Sequence, residues 1–382
     1  MFARVGELLQ LFGQVDWALR PRTFCILRVL GCQELMDSFV ALKMTDASLP
    51  YSAGNLPNAI KGERRSRFLK LQKFVLSNPD LAHLEKDGGS HLSFPVVADG
   101  YFSSIQPLGE GGTSMVDHVF GPMTLKHFAR KRIHRGKSAL ADQRALNVFL
   151  NELEILKKAS HRHLVKLVSS YTDPTYVAII MRPVADGHLR NYLQQPLSRH
   201  SDRNARQQCI RTFFGCLTKA LEYLHSNNIQ HKDIKPHNIL VKGNEVYLTD
   251  FGTAKAHGES SRSNSTGPVR AFTPKYVAPE IYVYDPHGKP SDIWSMGCVF
   301  LEMVTILHDR TLENMERFYL EHGTKYGPYH LNQLATAAWI DELCQTSTAS
   351  DLEPLTWIQE MLEAQPASRP TVSQVLASIS DA

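Results

Sequence analysis

The sequence predicts an α+β chain of two lobes: a small β-rich lobe carrying one helix, then a larger, mainly helical lobe, with a small helical segment in front. Three observations predict it. The 382 residues exceed what one hydrophobic core usually serves. Near Tyr101 the apolar pattern changes from helical spacing to short β-like runs broken by a single helix. Beyond Asp186 helical patterns dominate, and one of them, Ile293 to Val304, is apolar nearly all round, as a buried helix would be.

The elements are taken in chain order. Leu8, Leu9, Phe12, Val15 and Leu19 recur at roughly helical spacing, as do Phe68, Leu71, Phe74 and Val75, with the turn-rich SLPYSAGNLPNAIKG between them. Residues 1–100 are therefore expected to be a helical segment whose apolar faces pack on each other or on the main domain. Its basic stretch KGERRSR, Lys61 to Arg67, is expected to be a solvated surface. Residues 101–382 form the main domain, with a first lobe over 101–183 and a second over 184–382. In the first lobe a helix is predicted over Ala145 to Ala159, followed by strands at Leu164 to Ser170 and Tyr176 to Met181. In the second, Phe213, Leu217, Ala220, Leu221 and Leu224 keep one helix face apolar. Gly258 to Gly267 is the most loop-like stretch there.

Composition narrows the function classes. Hydrophobic residues at 43% and charged residues at 21% are ordinary for a globular chain and argue against disorder or a disulfide-dense miniature fold. A net charge of +4 with interspersed signs is too mild to imply nucleic acid or an anionic membrane as the main partner. The six cysteines lack CxxC or zinc-ligand spacing, which fits a reducing compartment. Glu7 and Asp16 interrupt the first apolar pattern, and no run approaches ~18 apolar residues, so neither a signal peptide nor a membrane span is expected. A cytoplasmic or nuclear location is the expectation.

The chemistry concentrates in HKDIKPHNILVKGNEVYLTDFGTAK, residues 231–255. Ile239 to Val241 and Val246 to Thr249 read as two strands around a Gly243-Asn244 turn, and that hairpin would bring Asn238 beside Asp250. An amide and a carboxylate with open positions left over suit Mg²⁺ carrying a nucleotide polyphosphate. Asp233, close by, is available to accept a proton from an attacking hydroxyl.

The order His231, Asp233, Lys235, Asn238, then Asp250-Phe251-Gly252 resembles the catalytic and metal-binding loops of eukaryotic protein kinases. That resemblance, over residues 101–382, implies the two-lobed protein kinase fold, ATP and Mg²⁺ as cofactors, and further site residues. LGEGGTSMV resembles the phosphate loop, with Leu108, Gly109 and Gly111 in place and Ser114 where a third glycine is usual. Lys131, fifteen residues after Val116, matches the lysine that holds the α- and β-phosphates, and Glu152 matches its helix partner. Val116, Ala129 and Leu240 are implied to sandwich adenine, with Met181 behind the pocket and Arg182-Pro183-Val184 as the hinge, where Arg182 and Val184 present the backbone groups. Leu156, Leu167, His231 and Phe251 match the apolar spine of the family, with Asp292 at its base.

Thr273-Pro274-Lys275-Tyr276 followed by Ala278-Pro279-Glu280 resembles the segment that docks a peptide acceptor, and Arg369 matches the partner of Glu280. Lys235 and Thr273 match the serine/threonine branch, so the implied reaction is transfer of the γ-phosphoryl group of Mg-ATP to a protein Ser/Thr hydroxyl. In the implied roles Asp233 is the base, Lys235 offsets charge on the moving phosphoryl, Lys131 and Glu152 hold the phosphates, and Asn238 and Asp250 hold the metal. Two departures stand out. Lys232 replaces the arginine that typically grips a phosphate on the activation loop, which removes planar two-pronged hydrogen bonding. Ser114 stiffens the phosphate loop slightly. Ser260, Ser261, Ser263, Ser265 and Thr266 are candidate phosphorylation sites. His161 and His163 are expected to be structural rather than metal ligands. Two other readings are a kinase-like scaffold without catalysis and an adaptor function carried by residues 1–100.

Overall fold

The computed structural model describes residues 1–76, 81–88, 91–111, 114–196, 200–256, 274–282, 288–346 and 349–381. The candidate phosphorylation sites and Thr273 lie outside these residues. The chain divides into two compact units, Met1–Lys157 with Lys166–Val184, and Lys158–Val165 with Ala185–Ala382.

The first unit opens with helices α1 (Phe2–Leu11), α2 (Val15–Ala18), α3 (Pro21–Val29), α4 (Met36–Ala41) and α5 (Gly62–Val75). Pro21 begins α3, where its missing N–H is one that no helical carbonyl would have satisfied. The next two N–H groups, of Arg22 and Thr23, donate to Asp46 at 2.7 and 3.1 Å, so a carboxylate sits on the positive end of the helix. Ile26, Leu27, Met36, Phe39, Tyr51, Leu56, Ile60 and Phe68 form a common core. Its centre is aromatic, with the rings of Phe39, Tyr51 and Phe68 5.6 to 6.0 Å apart. Gln72 locks the intervening loop by exchanging two hydrogen bonds with the backbone of Tyr51, at 2.7 and 2.8 Å.

Two expectations for this segment need correction. Leu8, Phe12, Val15 and Leu19 do not pack inward; they are 45 to 81% exposed. Gly13, in the left-handed region, follows α1 and separates it from α2; the core is drawn mainly from α3 to α5 and the loops between them, with Phe2 of α1 and Trp17 of α2 packed against it. Within the basic stretch, Arg65 is not simply solvated. Its guanidinium donates to the carbonyls of Leu56, Pro57 and Ile60 at 3.0 to 3.1 Å and closes the turn before α5.

A six-stranded sheet completes the first unit. In chain order its strands are β1 (His91–Ser93), β2 (Ser103–Glu110), β3 (Ser114–Gly121), β4 (Lys126–His134), β5 (Lys166–Thr172) and β6 (Tyr176–Arg182), and helix α6 (Ala139–Lys158) comes after β4. The spatial order is β1-β5-β6-β4-β3-β2. All neighbours are antiparallel except β1, which lies parallel to β5 with His91 opposite Ser170. Residues 91–93, read from the sequence as part of the helical segment, thus extend the sheet. Leu84, Leu92, Phe94 and Phe102 pack with Val119, Phe128, Val168 and Tyr171 against it.

The second unit is mainly helical. It contains β7 (Gly187–His188), α7 (Leu189–Gln194), α8 (His200–Ser226), β8 (Ile229–Gln230), β9 (Ile239–Lys242), β10 (Glu245–Leu248) and β11 (Lys255–Ala256). Helices α9 (Pro279–Tyr282), α10 (Lys289–Leu307), α11 (Leu312–His322), α12 (Gln333–Thr346), α13 (Ala349–Met361) and α14 (Val372–Asp381) complete it. By length and composition α10 alone among the described helices could cross a membrane, but from Ile293 to Leu307 every residue except Ser295 is buried, and it is the core helix of this unit. The predicted hairpin forms. Gly243, at φ +55, makes the turn, and Leu240 lies opposite Tyr247.

Candidate active site

In the first unit the β3–β4 ladder sets the geometry. Val116 faces Lys131 across the pair, and Ala129, two residues before Lys131, shares its face of the sheet. Lys131 Nζ lies 2.8 Å from both carboxylate oxygens of Glu152, which α6 presents buried. Leu156, one turn on, is buried as well. Arg130, pointing to the other side of the strand, makes a buried bidentate pair with Asp117 of β3, at 3.1 and 2.6 Å. The pair fixes the β3–β4 register behind Lys131. Sequence reasoning did not single it out, because β4 also carries Lys131 and Arg132 and nothing local marks Arg130 among these neighbouring cations.

Leu108 is 37% exposed on β2, and Gly109 pairs with Val116. A Cβ built on Gly109 would meet no described atom, so that position is not made glycine by packing within the protein and stays open to an approaching group. Gly111 N donates to Ser114 O at 2.7 Å. Met181 on β6 lies opposite both Ala129 and Leu167, and Arg182 pairs with Lys166 before the chain runs through Pro183 to Val184. The Arg182 side chain forms an ion pair with Asp87.

In the second unit Asp233 is held on two sides. Lys235 Nζ approaches its Oδ2 at 2.8 Å, and the amide of Asn238 donates to its backbone carbonyl at 2.8 Å and to Oδ2 at 2.9 Å. The turn Pro236–Asn238 makes this possible by folding the chain back within five residues. Asn238 O in turn accepts from Thr249 N at 3.0 Å, so the residue next to Asp250 is tied to the residue next to β9. Asp250 adopts φ +67, a conformation that aspartate tolerates better than most side chains. The amide nitrogen of Asn238 is engaged by Asp233, and the backbone bond to Thr249 brings Asn238 to the hairpin end that carries Asp250. An amide and a carboxylate offer hard oxygen donors that fit Mg²⁺. Leu240 stands on β9, half-buried.

Asp292 organises the loop from below. It is buried and accepts from His231 N at 2.9 Å, Lys232 N at 2.8 Å and His225 at 2.9 Å. Burial alone would raise its pKa; the bond and charge of His225, with His231 and the Lys232 N–H, outweigh this and hold it below the ordinary carboxylate value. Two of the three acceptances come from backbone next to Asp233, with Lys232 itself at φ +68. His231 also reaches Thr249 O at 3.0 Å and lies 5.3 Å from the ring of Phe251. His161 and His163 engage Tyr223 and the Val246 carbonyl respectively.

Further along, Arg369 meets Glu280 through two parallel bonds of 2.8 Å, as the resemblance implied, and also donates to the carbonyls of Glu363, Pro290 and Ala364. Glu302 was missed by sequence reasoning. Fully buried in α10, it lies 2.9 Å from each of Tyr276 Oη, Tyr329 Oη and Lys275 Nζ and 3.4 Å from Arg190. Burial, and after it the Glu302 carboxylate, push both phenols well above their usual pKa. A carboxylate inside the otherwise apolar run Ile293 to Val304 was the available signal.

Comparison with known proteins agrees with this geometry. The family described as Protein kinase domain matches residues 102–379. Serine/threonine-protein kinase PLK4 of Danio rerio is 26% identical over 276 residues, covering 72% of this chain and 26% of that protein. Serine/threonine-protein kinase mph1 of Schizosaccharomyces pombe is 30% identical over 221 residues, covering 54% and 31%. Serine/threonine-protein kinase 33 of Mus musculus is 29% identical over 230 residues, covering 57% and 43%. The chain thus spans less than half the length of these relatives. With the family match extending over most of its length, the chain belongs to the protein kinase domain family.

Proposed function

We propose that the chain transfers the γ-phosphoryl group of Mg-ATP to a serine or threonine hydroxyl of a protein. The observation that carries this reading is the trio in the second unit, a carboxylate held between a lysine ammonium and an asparagine amide. Asp233 accepts the proton of the acceptor hydroxyl as its oxygen attacks the γ-phosphorus in line and ADP departs. Lys235 offsets the negative charge on the moving phosphoryl. Lys131, oriented by Glu152, holds the α- and β-phosphates. Asn238 and Asp250 hold Mg²⁺, which when bound neutralises charge on the phosphate oxygens. Val116, Ala129, Met181 and Leu240 contact adenine, with the backbone of Arg182 and Val184 at its edge, and Leu108, Gly109 and Gly111 cover the phosphates.

The serine/threonine assignment is supported by Lys235, two residues after the base, and by the names of the relatives. The test is incubation of the purified chain with Mg-ATP and a library of Ser-, Thr- and Tyr-containing peptides, with Asp250→Ala protein as control. Phosphate on Ser or Thr, lost in the control, is expected. Labelling of Tyr alone, or no labelling above the control, contradicts the reading.

A further inference from the structure

The helical segment and β1 do more than precede and extend the sheet; they grip α6, the helix that carries Glu152. The principal contact is a buried clamp. Arg135, the residue immediately after β4, makes a bidentate pair with Asp142 in the first turn of α6, Nε at 2.9 Å and Nη2 at 2.7 Å, with side chains 1% and 0% exposed. The guanidinium also donates to the carbonyls of Ser48, at 2.7 Å, and Pro50 in the helical segment, and to that of Asp173, after β5, at 3.1 Å. Asn55, also fully buried, donates from Nδ2 to Asp142 Oδ2 at 2.9 Å, while its own Oδ1 accepts from Ser52 N at 2.7 Å.

Two further contacts lie along the same helix. Ala139, its first residue, packs against the core of the helical segment. The ring of His91 in β1 lies 5.7 Å from Phe149, three residues before Glu152, and its two nitrogens are fixed at 3.0 Å by Ser170 and Thr172 of β5. The approach is close throughout. A Cβ on Gly54 would lie 2.5 Å from the carbonyl oxygen of Lys137, and one on Gly136 would lie 2.2 Å from Asp142 N.

We propose that this segment is a built-in positioning element for the Lys131–Glu152 pair, with Asn55 and the Arg135–Asp142 clamp as positioning residues. Lys131 stands four residues before Arg135, and Glu152 stands ten residues after Asp142. A helix rises about 1.5 Å per residue, so the clamp acts through roughly 15 Å of α6. One guanidinium therefore ties the end of the strand bearing the lysine to the start of the helix bearing the carboxylate, and the helical segment adds two carbonyl acceptors and the Asn55 amide to this junction. The proposal rests on the reading of Lys131 and Glu152 as the phosphate-holding pair.

The test uses the full chain carrying Asn55→Ala or, independently, Gly54→Ala, each in the native background and in a Glu152→Gln background. If the clamp acts through Glu152, each substitution lowers kcat/KM for ATP by on the order of 10-fold in the native background and by less than about 2-fold where Glu152 is already absent, because the shared function is lost only once. An equal fall in both backgrounds is what a merely structural role would give, and it overturns the proposal. Amide hydrogen exchange decides the matter separately from catalysis. Faster exchange across residues 139–158 with β4 and β6 unchanged supports the positioning role, and unchanged exchange in α6 overturns it. Should the native chain transfer no phosphate, the functional reading fails while the exchange measurement still judges the clamp.

Discussion

At the scale of single residues, the proposed catalysis turns on how Asp233 is held. A carboxylate bonded to Lys235 and Asn238 keeps one orientation, and a base that is already oriented needs no rearrangement as the acceptor arrives. Asp233→Ala is therefore expected to lower turnover by roughly 10²–10⁴-fold, the range of general-base steps, with nucleotide affinity nearly unchanged by calorimetric titration. His91 gives a pH prediction. Burial lowers its pKa from 6.5 to about 4, so it stays neutral in the fold and protonates more readily in the unfolded chain. Between pH 6.5 and 4 the unfolded state then binds more protons, and stability falls with falling pH. Denaturant midpoints measured across that window should fall more steeply for the native chain than for His91→Gln.

At the scale of elements, two buried ionic centres fix the second unit. Arg369 joins α9 to the chain before α14 and to the start of α10, and removing it would strand Glu280 as a poorly exposed, unpaired charge. Breaking a buried pair in this way costs about 3–5 kcal/mol. Arg369→Ala should lower the unfolding free energy by that amount in a denaturant titration, and Arg369→Lys should recover only part, since one ammonium cannot make both parallel bonds. What the sequence made legible at this scale was local. The Gly243 turn, the alternation around it and the spacing from Asp233 to Asn238 are short-range signals, and each corresponds to an observed element. The partners of Glu302 and the Arg130–Asp117 pair were not legible, because they join different elements and pairing at a distance leaves no periodicity.

At the scale of the molecule, the same distinction separates what could be read from what could not. Helical spacing correctly indicated helices near the N-terminus, but the stripe Leu8, Phe12, Val15 and Leu19 faces outward, and only tertiary packing decided which side of α1 was buried. That residues 91–93 join a sheet and that Asn55 reaches Asp142 are likewise long-range facts. They bear on where the domain can be cut. A fragment of residues 101–382 would lose β1, Phe94 and the Ser48 and Pro50 carbonyls that accept from Arg135. Loss of a core phenylalanine alone costs about 3–5 kcal/mol, or roughly 10 °C of Tm at about 2–4 °C per kcal/mol. Differential scanning fluorimetry should show the fragment melting at least that far below the full chain.

The most direct test of the central claim is a single-turnover measurement with γ-labelled ATP, magnesium and a serine peptide, run on the native chain and on Asp233→Asn with bound nucleotide quantified in the same samples. If Asp233 is the base, nucleotide occupancy is equal and peptide labelling is slowed by roughly 10²-fold or more in the variant. Equal labelling rates at equal occupancy would contradict it.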